Sequence, residues 1–165
     1  MLILVAFLTA AGSGASDSSG LTGNYKFVPA QSGDVAQAID KAVEGMNFIK
    51  RPIARGRLSK TNTPYQHIRI EIGASEVEIA YDTNKPIRVP LDGQSIKWTR
   101  DDGEVFDVSA TFDGSKLLQT YKATDGTRVN SFSKDSTGSL RLEVEVSSPQ
   151  LSQPVKYALV YVLAS

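Results

Sequence analysis

The chain of 165 residues has no cysteine, one histidine, one tryptophan and two methionines. Without thiols it carries neither a disulfide framework nor a lipidated cysteine, so its stability must come from a noncovalent core. One imidazole and no thiolate are too few ligands for a transition-metal centre. That histidine, His67, lies in "HIRIEI", where alternation puts it with Arg69 and Glu71 on a wet face and offers it no partner for acid–base work. Charge of one sign is not in excess either: 18 basic residues balance 18 acidic ones. A nucleic-acid partner would leave a basic surplus, so none is expected. A Gly-rich phosphate loop and a nucleophile elbow are also missing. Together these absences argue against an enzyme and against a bound cofactor.

Long apolar runs are scarce, and the clearest opens the chain. "MLILVAFLTAAGSGA" is similar to the apolar region and small-residue cleavage site of a secretory signal ending after Ala15. It is too short to span a bilayer as a helix, so stable membrane insertion is not expected. The expectation is an exported protein, secreted or periplasmic, with residues 1–15 as signal, 16–20 as a Ser/Gly-rich linker and 21–165 as one folded, monomeric domain.

Within that domain the hydrophobic period changes once. "LTGNYKFVPA" reads as a short strand with Tyr25 and Phe27 on one face, ended by Pro29. "SGDVAQAIDKAVEGMNFIK" reads as a helix capped by Asp34, with Val35, Ile39, Ala42 and Met46 on one side. Pro52 is expected to end or bend it, leaving one helix and a further helical turn as a cap. From residue 66 the period is two: Ile68, Ile70 and Ile72; Val77, Ile79 and Tyr81; Ile96 and Trp98; Leu140, Leu142, Val144 and Val146.

Between these runs Asp-Gly occurs at 92–93, 102–103, 113–114 and 125–126. Asp-Gly between alternating segments is a hairpin signal, since both central residues of a type I′ turn need positive φ. Calcium chemistry would need carboxylates converging at alternate positions, and "TRDDGE" offers an adjacent pair pointing opposite ways. The prediction is an all-β fold, an antiparallel meander of about ten strands with a helical cap after the first, closed into a barrel because open edges are costly.

This order of strand, helical cap and meander resembles the calycin superfamily, and within it the fatty-acid-binding-protein type of barrel. "TGNYKF" is similar to its Gly-x-Trp/Tyr opening at Gly23 and Tyr25. "KLLQTYKATDGTRVNSFSKDSTGSLRLEVEV" resembles its pattern of strand, Asp-Gly, strand, Gly-x-Leu and strand. The resemblance implies an exported, bacterial-type member that binds a small hydrophobic molecule without catalysis. It also implies a carboxylate clamp of two arginines and a tyrosine. The tyrosine maps to Tyr161, whereas the arginine positions fall on Leu159 and Ser133, so both cations are missing.

Parity and the resemblance together nominate the inward set. Arg141, Glu143 and Glu145 must face water, so Leu140, Leu142 and Val144 face in, and with them Tyr157, Leu159 and Tyr161. The resemblance adds Leu117, Gln119 and Tyr121, then Val129, Ser131 and Ser133. The candidate ligand-binding residues are thus Arg100, Gln119, Tyr121, Ser131, Ser133, Tyr157 and Tyr161. Arg100 shares the dry face of Ile96 and Trp98, at the barrel rim or as a displaced cation. The cluster Lys50, Arg51, Arg55, Arg57 and Lys60 is either a basic lip beside the cap or a solvated run at a helix end. Two readings stay open: a barrel enclosing a lipid-like molecule, and a structural or interaction protein of the cell envelope whose barrel is filled.

Overall fold

The computed structural model describes residues 19–165, so the signal assignment to residues 1–15 lies outside the described residues. The chain begins with β1 (Gly23–Phe27) and a single 3-10 turn (Pro29–Gln31). Two helices follow, α1 (Val35–Val43) and α2 (Lys50–Thr61). The rest is a meander: β2 (His67–Ile72), β3 (Glu76–Tyr81), β4 (Ile87–Pro90), β5 (Ile96–Thr99) and β6 (Val105–Asp113), then β7 (Lys116–Lys122), β8 (Thr127–Lys134), β9 (Leu140–Ser147) and β10 (Val155–Leu163).

All ten strands form one antiparallel sheet in the order β4-β3-β2-β1-β10-β9-β8-β7-β6-β5. The first strand lies between β2 and the last, which rolls the meander into a nearly closed barrel. Strands β4 and β5 are the two ends of the sheet and do not pair with each other; β4 approaches β6 instead. Consecutive pairing by short turns explains the single sheet, and the twist of successive strands explains its curvature.

Asp34 caps α1 as expected, its carboxylate accepting from the Gln37 amide at 3.0 Å. The helix buries Ile39, Ala42 and Val43 and packs on β10. Pro52 behaves differently from the sequence expectation. It lies in the first turn of α2, where an amide N–H has no helical partner to lose, so it helps start a three-turn helix rather than ending one. Among its residues none is fully buried, so α2 is a cover lying on the barrel rather than part of its core.

The Asp-Gly corners also differ in detail. Gly93, Gly103 and Gly114 have positive φ, but none of the aspartates before them does, so these are not type I′ turns. At Gly93 a side chain is doubly unwelcome: φ is +84° and a Cβ would stand 3.1 Å from Thr111 Cγ2. The fourth glycine, Gly126, is absent from the positive-φ set and closes a four-residue loop through an Ala123 N–H to Gly126 carbonyl bond of 2.9 Å.

Among the largest fully buried side chains are Tyr25, Tyr161 and Phe132, with Ile68, Ile70, Ile79, Leu117, Leu140 and Leu142 around them. Phe132 is wholly buried between Leu117 and Leu142. Phe132→Ala should destabilise the protein by about 3–5 kcal/mol, the usual cost of emptying a packed aromatic site, read as a shift in the denaturant midpoint.

Candidate functional site

Residues directly opposite one another in a sheet point to the same side, so the register defines rows inside the barrel. One row runs through Ile96, Val108, Tyr121, Arg128 and Val146. The next runs through Ala110, Gln119, Asn130, Val144 and Tyr157. A third holds Leu117, Phe132, Leu142 and Leu159. The first row is at the cap end, where the C-terminus of α2 meets the barrel through Asn62.

The buried polar residues of the described chain are Asn62, Gln119 and Asn130, and one network contains all three. Tyr81, from the opposite wall, donates its hydroxyl to Gln119 Oε1 at 2.5 Å and accepts from Asn130 Nδ2 at 3.2 Å. Asn130 Oδ1 accepts from Arg128 Nε at 2.9 Å. Arg128 Nη1 then donates to Asn62 Oδ1 at 3.0 Å and to the Thr61 carbonyl at 3.4 Å. Tyr157 donates its hydroxyl to the same Asn62 oxygen at 2.9 Å. The chain thus spans the interior from β3 to β7 and β8 and fastens α2 to both β8 and β10. One atom is left over: Gln119 Nε2 is buried with no hydrogen-bond partner.

Burial pushes the phenol groups of Tyr81, Tyr121, Tyr157 and Tyr161 up from their ordinary value, because a tyrosinate in this interior would be poorly solvated. Burial pulls the Arg128 guanidinium down, but the surrounding tyrosines, Tyr157 first, more than offset it, and its pKa is raised. Arg128, inward-facing and half-buried at the cap end, therefore stays a cation.

Beside the network lies an aromatic cluster. Trp98 and Phe106 are 5.8 Å apart, and each meets the Tyr121 ring edge-on, at 5.7 and 6.1 Å. Tyr65 packs on Tyr81 with centroids 4.6 Å apart. Trp98, Phe106, Tyr65, Leu58 and Ile96 are only partly buried although they pack against the core. They lie at the cap end of the barrel, with Ile96 and Trp98 on the end strand β5.

Gln119, Tyr121 and Tyr157 face inward, as the sequence reading expects, and the structure brings them together in the cap-end half. Tyr161 is also internal, its hydroxyl donating to the Tyr65 carbonyl at 3.1 Å. Ser131 and Ser133 are corrections, and Val129 with them. Ser131 and Ser133 pair with Glu143 and Arg141 on the outer side of the sheet, and Val129 pairs with Glu145 there. The inward face of β8 is Arg128, Asn130 and Phe132. The reason is arithmetic: the β7–β8 loop has four residues, an even number, so odd inward positions on β7 face even inward positions on β8. A hairpin count at Asp125-Gly126 would have found this, and with it the missed residues Arg128 and Asn130. Asn62 and Tyr81 had no comparable signal as site residues.

Arg100 sits just beyond β5, partly buried, with its guanidinium 5.1 Å above the Phe106 ring. It is already engaged. Asp102 receives two bonds from it at 2.7 and 3.0 Å, and Glu104 forms a further ion pair. The bond from Arg100, followed by the Glu104 amide, draws the Asp102 carboxyl down to about 2. Arg100 is thus a clasp of the β5–β6 turn. In the basic segment, Arg51 donates to the Glu44 and Met46 carbonyls at 2.6 and 3.0 Å, and Arg55 pairs with Asp40 at 2.6 Å. These two arginines tie α2 to the end of α1. Two surface concavities, of about 210 and 580 Å³, lie against the outer side of the strands, the first beside His67 and Asp82, the second beside Ser131, Glu143 and Lys156.

Raised phenol pKa values mean that folding favours the protonated form. Their contribution to stability is complete below about pH 10, where unfolded tyrosines are neutral, and is lost as the pH rises past that value toward the folded ones. Denaturant midpoints measured at rising pH should therefore fall from about pH 10 upward, with the tyrosinate absorbance of the interior tyrosines appearing only with unfolding. For the turn, Arg100→Ala should return the Asp102 carboxyl toward about 4, read by NMR titration of its side-chain carbon.

No protein-family model matches the chain, and no curated protein sequence matches it. Solved structures do. The REP1-NXSQ fatty acid transporter is 17% identical with a TM-score of 0.58, covering 90% of this chain and 98% of its own. A Schistosoma mansoni fatty acid binding protein in complex with arachidonic acid is 15% identical with a TM-score of 0.57, covering 91% and 100%. A secretary abundant heat soluble (SAHS) protein from Ramazzottius varieornatus is 10% identical with a TM-score of 0.61, covering 88% and 96%. At these identities the likeness concerns architecture: the chain has the fold of the fatty-acid-binding-protein type of β-barrel.

Proposed function

We propose that the protein reversibly encloses a small hydrophobic or amphipathic, lipid-like molecule in the cap-end half of its barrel, without catalysing a reaction on it, and that α2 is the lid. The observation that carries this reading is a set of half-buried apolar side chains at the cap end. Trp98, Phe106, Tyr65 and Ile96 face the interior yet keep partial exposure, beside sheet ends that are not hydrogen-bonded to each other. Apolar surface left wet in this way gains about 25 cal/mol per Å² when a ligand covers it. The fold likeness to a fatty acid transporter and a fatty acid binding protein adds support at the level of architecture. Lifting α2 uncovers no fully buried side chain of the helix itself but breaks the bonds that Arg128 and Tyr157 donate to Asn62, a loss that burial of the ligand's apolar surface offsets. The apolar run at residues 1–15 supports export of such a carrier.

A second reading draws on a different observation. The lower rows, with Leu117, Phe132, Leu142 and Leu159, are tightly buried, and both concavities named above are on the outside. These favour a filled barrel acting as a structural or interaction protein.

Titration with the neutral lipophilic dye Nile red separates the two. Enclosure predicts a saturable blue shift with one dye per chain, a change in emission of Trp98, the sole tryptophan, and at least about tenfold weaker binding in Phe106→Ser, which removes an aromatic wall. A shift that does not saturate, or that Phe106→Ser leaves unchanged, supports the filled barrel.

A further inference from the structure

The four Asp-Gly dipeptides are alike in sequence, yet the structure holds them in two different ways. Asp92 Oδ1 accepts from the Gln94 amide at 2.9 Å, and the Gly93 amide donates to the Ala110 carbonyl at 3.2 Å. Asp102 is held more firmly, by Arg100 at 2.7 and 3.0 Å and by the Glu104 amide at 3.2 Å. Its neighbour's amide, that of Gly103, donates to the Arg100 carbonyl at 2.8 Å. At the other two turns neither group is engaged. The exposed carboxylates of Asp113 and Asp125 have no hydrogen bond or ion pair among the described residues, and the Gly114 and Gly126 amides donate to none of them.

The difference bears on a reaction open to any aspartate followed by glycine, whose nitrogen no Cβ shields. That nitrogen, giving its proton to solvent, attacks Cγ of the protonated carboxyl group. A C–N bond forms, a C–O bond breaks and one water leaves, closing a five-membered succinimide. Water then opens the ring: at Cγ it restores aspartate, at the main-chain carbonyl it leaves a β-linked isoaspartate. The sum is an isomerisation that needs no oxidant or reductant. A glycine amide that is already donating must first break its bond, and a carboxylate held by N–H groups or a cation resists protonation. Asp102, drawn down to about 2 chiefly by Arg100, is the extreme case. We propose that Asp113 and Asp125 are modification sites of the folded protein, converting through succinimide to isoaspartate, while Asp92 and Asp102 are protected by their contacts. The two sites bracket one strand. Asp113 ends β6 opposite Lys116, the first residue of β7, and Asp125 lies in the loop between β7 and β8. Each conversion adds one methylene to the main chain, so it disturbs the turn that sets the register of β7 and keeps the negative charge. The assignment is independent of whether the barrel encloses a ligand.

The test incubates the full chain in mildly acidic buffer, folded and in concentrated urea, and follows each site by peptide mapping with fragmentation that distinguishes aspartate from isoaspartate. In urea the folded contacts are gone and all four sites should convert at similar rates; incubation continues until they do so measurably. In the folded chain Asp113 and Asp125 are expected to convert at least about tenfold faster than Asp92 and Asp102, a barrier difference of about 1.4 kcal/mol. Arg100→Ala frees the Asp102 carboxylate and should raise conversion there severalfold, with Asp113 and Asp125 unchanged. Equal rates at all four sites of the folded chain, faster conversion at Asp92 or Asp102, or no conversion at Asp113 and Asp125 while the unfolded chain reacts, would each overturn the assignment. The comparison of four sites within one wild-type chain decides the matter even if Arg100→Ala does not fold.

Discussion

The hydrogen-bonded chain from Tyr81 through Asn130 and Arg128 to Asn62 is the constraint on which the upper half of the molecule depends. A sheet with two unpaired end strands has no backbone reason to hold its walls at one distance. Here a side-chain rod crosses the interior between them, and the same rod reaches the end of α2. Tyr81, Asn130 and Asn62 are buried and Arg128 is half-buried, so losing a partner is costly and the elements are held together. The lower half needs no such rod, because Phe132, Leu117, Leu140 and Leu142 fill it by packing alone.

The outer face solves a different problem. Glu78 on β3 lies between Arg69 of β2 and Arg88 of β4, with contacts of 2.9 and 2.5 Å. Its carboxyl is held below its ordinary value chiefly by the hydrogen bond from Arg88. These exposed pairs add little stability. Their value is that Arg88 charges one sheet end, while Lys97, paired with Asp107 at 2.8 Å, charges the other, which discourages edge-to-edge association of the unpaired strands. The helical cover shows the same economy: Arg51 and Arg55 hold α2 to α1, and Phe48, Ile49 and Ile53 remain largely exposed.

Much of the architecture was legible in the residues. Alternation at Ile68, Ile70, Val77, Ile79, Leu140 and Leu142 located strands and their dry faces, and all six side chains are buried. Asp34 announced its helix. Two local readings failed for identifiable reasons. Pro52 carries the expectation of ending or bending a helix, though proline is equally at home in a first helical turn, and only the position of Asn47, whose Oδ1 accepts from the Lys50 amide at 2.9 Å, marks a new start there. The β8 face was assigned by resemblance when the loop length already decided it. "TRVNSFSK" is polar at both parities, so composition could not arbitrate, and a family alignment displaced by one position exchanged Arg128 for Val129.

By itself, the sequence determined the strand count, the helical cover and the pairing of neighbours, because period and turn chemistry are local properties that a short stretch of chain carries whole. It also settled that Leu140, Leu142, Val144, Tyr157, Leu159 and Tyr161 share one side. What only the tertiary structure decided was which distant polar groups meet. Tyr81 and Gln119 are 38 residues apart, and Asn62 and Arg128 are 66 apart. No periodicity connects them. Closure of the sheet and the seating of α2 bring them within bonding distance, and the inward, half-buried place of Arg128 among tyrosines is recognisable only when the walls around it are in place.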